Sequence, residues 1–222
     1  MFSPFSYETR MLLRKSILAG MCIGLGCIAY LSVDNKYVGA FLFSIGLFTI
    51  CTFEYNLFTG KVCYAFKSDA DADVIKDFFR LCIIWIFNFL GILYMYAVIR
   101  LSRVDAVIAQ KAAAIWKIKQ NDSYLSLFML GVVCNICIYI AVEGYKWNAQ
   151  NSSSRYFSVL LGVMVFILIG AEHCVADMFY FFFSDHISLS DFQRLLVITL
   201  GNAFGGLLFP QIEHIKRKGE KK

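Results

Sequence analysis

Charge is what this chain lacks. Only 17% of its 222 residues are Asp, Glu, Lys or Arg, against about 25% in an ordinary soluble domain. The shortage is uneven: charge is missing from long apolar blocks and collected between them. Proline is nearly absent too. Pro4 and Pro210 are the whole supply, which argues against the paired Asn-Pro-Ala boxes of an aquaporin-type channel for neutral solutes. The chain offers no nucleophile–base set and no phosphate-cradling loop. Cys134-x-x-Cys137 has no second pair or histidine at zinc spacing. An enzyme, a metal site and a bound cofactor are therefore not expected. Nor is a disulfide framework, because the eight cysteines fall in or beside apolar blocks and read as small buried apolar residues.

What is present is length in the apolar blocks. A bilayer core about 30 Å thick needs roughly 20 apolar helical residues. Blocks of that order cover 16–33, 38–66, 78–99, 124–143, 156–183 and 195–212. The second and fifth are long, and a polar stretch interrupts each. The pattern predicts an all-α integral membrane protein, a single transmembrane domain over 1–222 with no separate soluble part. The first block has no convincing cleavage site after it and is expected to be retained. Arg10, Arg14, Lys15, Lys67, Lys76, Arg80, Lys146, Arg155 and the C-terminal cluster fall on one side of such a bundle. That bias predicts a plasma-membrane protein with both termini cytoplasmic. Residues 214–222, with Lys216-Arg217-Lys218, are expected to be a basic cytoplasmic tail at the lipid headgroups rather than a nucleic-acid contact. Asn151-Ser152-Ser153 matches a glycosylation sequon but falls on that same side and is discounted.

The two halves look alike. In the first, Gly20 and Gly24 lie on span one, span two breaks around Glu54 to Gly60, and Asn88-x-x-Gly91 lies on span three. In the second, Gly131 and Asn135 stand at the same spacing, span five breaks around Glu172-His173-Cys174, and Asn202-x-x-Gly205 lies on span six. The intervals from Glu to Asn are 34 and 30 residues. With three spans each, repeat one (about 14–100) and repeat two (about 122–213) must be inserted upside down to one another, with their broken helices meeting near the midplane. Irregular backbone cannot face lipid, so two equivalent breaks predict a central pathway.

Ionisable groups inside spans are costly, roughly 2.5–3.5 kcal/mol each. Glu54 and Glu172 are read as helix-break support, their carboxylates accepting freed backbone N–H groups. On this alignment His173 has Tyr55 as its twin, and so has no histidine counterpart in the first half. An imidazole can give or take a proton near neutral pH, and an ion that takes a proton escapes the cost of desolvating a bare charge. Asp177, four residues past His173, shares its helical face and could act as its proton partner or repel anions. Lys119, beside Gln120 and Asn121, reads by itself as a flanking lysine.

These residues resemble the formate/nitrite transporter family over about 16–209. The likeness is carried by Phe43-Ser44-Ile45-Gly46-Leu47, Glu54 with Leu57-Phe58-Thr59-Gly60, Asn88-Phe89-Leu90-Gly91, Lys119 with Gly131-x-x-x-Asn135, Phe166 with Gly170-Ala171-Glu172-His173-Cys174-Val175-Ala176-Asp177-Met178-Phe179, and Thr199-Leu200-Gly201-Asn202-Ala203-Phe204-Gly205-Gly206. The resemblance implies an aquaporin-like protomer of two inverted three-span halves, assembled as a homopentamer with one pore per protomer. It implies passage of a small monovalent anion (formate or nitrite, with hydrosulfide or lactate as alternatives) together with a proton. Carried over by position, Phe43 and Leu47 would form one apolar constriction and Phe166 the other. Thr59 would sit at the first break, His173 at the centre, and Asn135 and Asn202 along the pathway. Lys119 would be a vestibule anion attractor. Asp177 departs from the family pattern, where Asn is usual.

Overall fold

Ser6 starts the first helix: its hydroxyl accepts the Thr9 amide at 3.2 Å. The computed structural model describes residues 6–65, 73–147, 150 and 152–219, and the regular structure among them is all helix, without a strand. The helices are α1 (Tyr7–Leu31), α2 (Lys36–Thr52), α3 (Phe58–Val62), α4 (Val74–Arg100), α5 (Asp105–Asn121), α6 (Tyr124–Trp147), α7 (Ser152–Leu168), α8 (Cys174–Phe181) and α9 (Leu189–Gly219). Asn35 caps α2 by accepting the Tyr37 and Val38 amides, and Asp73 caps α4 by accepting from Lys76. Such caps satisfy the N–H groups that an isolated helix start leaves open.

Four helices, α1, α4, α6 and α9 up to Ile212, are long and apolar enough to cross a membrane, and α2 and α7 are shorter apolar helices. The two long apolar blocks are therefore helix pairs: 38–66 holds α2 and α3, and 156–183 holds α7 and α8. The expected tail is helical for much of its length, because α9 continues through Gly219. Asn151 of the sequon lies outside the described residues.

The bundle is built from two crossings of the same kind. Where α1 crosses α4, a methyl added to Gly91 would lie 2.2 Å from the Ile17 carbonyl oxygen. Where α6 crosses α9, one added to Gly205 would lie 2.2 Å from the Val132 carbonyl oxygen. In lipid, packing of this closeness takes over from hydrophobic burial as the force between helices.

The ends that meet give the directions. One end gathers the start of α1, the end of α2, the start of α4 and the end of α6 around a common cavity. At the other end, Lys111 of α5 bonds Asp34 after α1 at 2.7 Å, and Lys36 at the start of α2 donates to the last carbonyl of α7, Leu168, at 2.8 Å. Trp116 of α5 donates there to Asp191 at the start of α9 at 3.0 Å. So α1 and α6 run in opposite senses, and α5 bridges the halves. Asp34 lies in a turn outside the spans; its hydrogen bond and ion pair with Lys111 hold its carboxyl below the usual carboxylate range.

Candidate pore and the groups around it

Each break is held by an asparagine from the last helix of its half, α4 or α9. Asn88 Oδ1 accepts the Phe58 amide at 2.8 Å, and its Nδ2 donates to the Ser16 and Asn56 carbonyls at 2.7 and 2.9 Å. Asn202 repeats the pattern: Oδ1 accepts the Cys174 amide at 2.8 Å, and Nδ2 donates to the Gly131 and Glu172 carbonyls, both at 2.8 Å. Both side chains are fully buried. A break frees donors and acceptors together, and a carboxamide satisfies both kinds.

The described structure corrects four expectations. Glu54 does not support its break through its carboxylate; its side chain is exposed, and what distinguishes it is a left-handed backbone with φ 54°. Glu172 is buried, but its carboxylate bonds Lys119 rather than backbone amides. The halves also register differently. Glu54 corresponds to Gly170, the other described residue at positive φ (74°). Asn56 corresponds to Glu172, and Leu57 to His173, which precede α3 and α8 as their N-caps. On span one, Ser16 rather than Gly20 is the counterpart of Gly131. Asn202 is thus a scaffold of the break, whereas the pathway was its expected place.

The described structure brings Phe43, Phe166, His173 and Thr59 into one chain of contacts. His173 Nδ1 accepts the Ala176 amide at 3.1 Å. That nitrogen's lone pair is committed, so the ring proton of the neutral imidazole belongs on Nε2. Nε2 lies 2.9 Å from Thr59 Oγ1, which accepts that proton and keeps its own hydroxyl hydrogen to donate. Asn135 positions Thr59 from behind, its Nδ2 donating to the Thr59 carbonyl at 3.0 Å. The Phe166 ring stacks on the imidazole at 5.7 Å, tilted by 19°, and meets Phe43 edge-on at 5.9 Å. The aromatic members of the two expected constrictions are therefore neighbours in one apolar plug. Leu47, one turn along α2 from Phe43, is buried on the side of the large cavity.

Lys119 corrects another expectation. It is neither a flank nor a free vestibule cation: it lies near the end of α5, is 7% exposed, and pairs with both Glu172 and Asp177, the latter at 3.1 Å. Asp177 thereby belongs to Lys119; the hydrogen-bond partners of His173 are Thr59 and Ala176.

Sequence reasoning did not anticipate the cavity, of about 1250 Å³. Lys15, Lys61, Lys76, Arg80, Lys146 and Arg155 line it, with Glu8 and Glu54 as the acidic members. Lys146 sits 3.3 Å over the Tyr64 ring, and the Tyr64 hydroxyl donates to Glu143. Leu47, Ile50 and Leu57 are buried apolar residues of its wall. The signal for it was partly present: all of these cations but Lys61 belong to stretches that the charge bias places on one side. Among the described residues, no group of three or more His, Cys, Asp or Glu converges as for a metal ion.

The arrangement has known relatives. The chain is 25% identical over 233 residues to the formate channel FocA of Haemophilus influenzae, covering 87% of this chain and 82% of that one. It is 27% identical over 219 residues to the nitrite transporter NirC of Salmonella typhimurium, covering 88% and 78%. A solved pentameric formate channel with formate bound superimposes with a TM-score of 0.84 at 22% identity, over 96% of this chain and 99% of that one. The family model described as formate/nitrite transporter matches residues 4–214. With its apolar helices and paired breaks, the chain belongs to the formate/nitrite transporter family of membrane proteins.

Proposed function

We propose that the protein is a channel for a small monovalent weak-acid anion, formate or nitrite, which crosses together with a proton. The observation that carries this reading is the bonded pair His173–Thr59 directly behind the Phe43–Phe166 plug. A bare anion pressed into an apolar constriction faces a desolvation cost that reaches tens of kcal/mol in the idealised limit. The neutral acid escapes that cost. The Thr59 hydroxyl is left with a hydrogen to donate to the anion, and the Nε2 proton of His173 stands one bond behind it. A proton from the side the anion enters reaches it through the pair, the acid crosses and releases that proton beyond the plug, and the pair ends as it began, so one proton crosses with each anion. The start of α8 adds the positive end of a helix at the same place.

The basic cavity collects the anion before this step. Small, nearly planar anions fit two phenylalanine rings in edge-on contact. The protomer is read as one of five in a homopentamer of the plasma membrane, with the basic cavity and both termini on the cytoplasmic side. The named relatives and the likeness in fold support that assembly and substrate class.

The test is formate- or nitrite-driven internal acidification of proteoliposomes. His173→Ala and Thr59→Val should each abolish or severely weaken acidification, while the purified proteins keep the oligomeric size of the wild type. Full proton-coupled flux in His173→Ala would refute the relay.

A further inference from the structure

The group around Lys119 has one carboxylate too many. Its ammonium bonds both Glu172 and Asp177, and the three residues are 7%, 5% and 2% exposed. With every group ionised, the cluster would carry an uncompensated negative charge in the middle of the protein, which is severely unfavourable. A second observation points the same way. Asp177 Oδ2 is fully buried and finds no hydrogen-bond partner, while Asp177 and Glu172 reach the same ammonium. An ionised carboxylate only accepts, and a proton on one of the two gives the pair a donor to share.

We propose that Glu172 and Asp177 hold one proton between them at neutral pH, so that Lys119, Glu172 and Asp177 form a buried proton-binding site distinct from His173. Loaded, the cluster is one ammonium, one carboxylate and one carboxylic acid, with no net charge. Unloaded, it has a net charge of −1.

Among the described residues, its surroundings offer no other partner for the extra charge. From α9, Arg194 is committed to the backbone carbonyls of Lys119 and Asp122. Cys27 and Tyr30 of α1, Cys134 of α6, and Cys174 and Tyr180 of α8 also lie within electrostatic reach of the cluster, and all are neutral near pH 7. If the reading of the pore as an anion pathway holds, the loaded cluster lets an anion approach His173, one residue from Glu172, and the unloaded one repels it.

The site can be tested without transport. Infrared difference spectra of the purified full-length protein at neutral pH should contain a protonated-carboxyl C=O band that shifts on exchange into D₂O. Asp177→Asn and Glu172→Gln should each remove it, because either variant leaves one carboxylate for one ammonium and no shared proton. Both replacements are isosteric with the protonated acid and should preserve the fold. Absence of the band from the wild type, or loss in only one variant, would overturn the proposal. Since no flux is measured, this failure is separate from a failure of the His173 relay.

Discussion

Replacing Asn202 by Ala tests how the second break is held. Asn202 satisfies the Cys174 amide and the Glu172 carbonyl, both beside the break, and adds a bond to the Gly131 carbonyl inside α6. The Gly131 oxygen can keep its intrahelical partner, so its loss is small. The other two groups would be left buried without a partner, at about 1–3 kcal/mol each, or roughly 2–6 kcal/mol together. For a chain of this size, that lowers the unfolding midpoint on the order of 10 °C. Asn88→Ala should behave alike, since it abandons the Phe58 amide and the Asn56 carbonyl. Asn202→Asp is the sharper variant: it keeps an acceptor for Cys174 but, when ionised, has no donor for the two carbonyls, so its loss should persist despite the matched shape. The assay is thermal unfolding of detergent-solubilised protein followed by size-exclusion chromatography, scanned at one fixed rate because such transitions are often irreversible. If both alanine variants unfold within about 1–2 °C of the wild type, which corresponds to at most about 1 kcal/mol, the asparagines do not hold the breaks.

Glu54→Gly should stabilise the protein by up to about 1 kcal/mol in the same assay, because a left-handed backbone is costly for any residue with a Cβ. Gly170→Ala should cost a similar amount for the same reason; no atom lies within 4 Å of an added methyl there, so a much larger loss would show that something besides backbone strain is involved. Gly91→Ala meets the Ile17 carbonyl oxygen at 2.2 Å and must push α1 from α4, so it should lose at least the roughly 1–3 kcal/mol typical of overpacking. A normal yield and midpoint for that variant would contradict the close crossing.

Much of the architecture was legible because lipid is a demanding solvent. It requires apolar blocks of a set length, and the two blocks that were too long, 38–66 and 156–183, proved to be helix pairs. The support of the breaks was misread for a chemical reason. Glu54 and Glu172 drew attention as charges, but a carboxylate only accepts, while the freed backbone needed a donor as well. Asn88 and Asn202 stood in the repeat as plainly as the glutamates and supply both. Aligning the halves on the two glutamates also shifted the register by two residues at the breaks. The conformation at Glu54 and Gly170 corrects it, and a backbone angle is not written in a residue name. The burial of Lys119 was partly readable: Ile108, Ala112, Trp116 and Lys119, the buried residues of α5, recur at intervals of four, four and three, which is one helical face. What no local pattern reveals is its pairing with Glu172, 53 residues away.

On the proposed function, anion capture moves from Lys119 to the cavity, which is where the basic side chains lie. At one end, Lys119 is neutralised by two acids that share its pocket. At the other, six basic side chains face two acidic ones across a cavity walled by low-dielectric helices, a shape that concentrates anions. Removing Lys15 and Lys61 by substitution with Gln takes away two unit charges. At about 7 Å through water each contributes roughly 0.6 kcal/mol, so the pair contributes about 1 kcal/mol, or roughly a fivefold change in local anion concentration. At low ionic strength, formate flux of the double variant at subsaturating concentration should fall by about that factor. In about 1 M of an impermeant salt, where the screening length shrinks to about 3 Å, wild type and variant should converge. A deficit that survives high salt would mean that these lysines act by contact or by shape. No deficit at low salt would mean that the cavity does not feed the pore. Lys119→Met would be a poor substitute for this experiment, because it strips the ammonium from two buried carboxylates and would be read out first as lost protein.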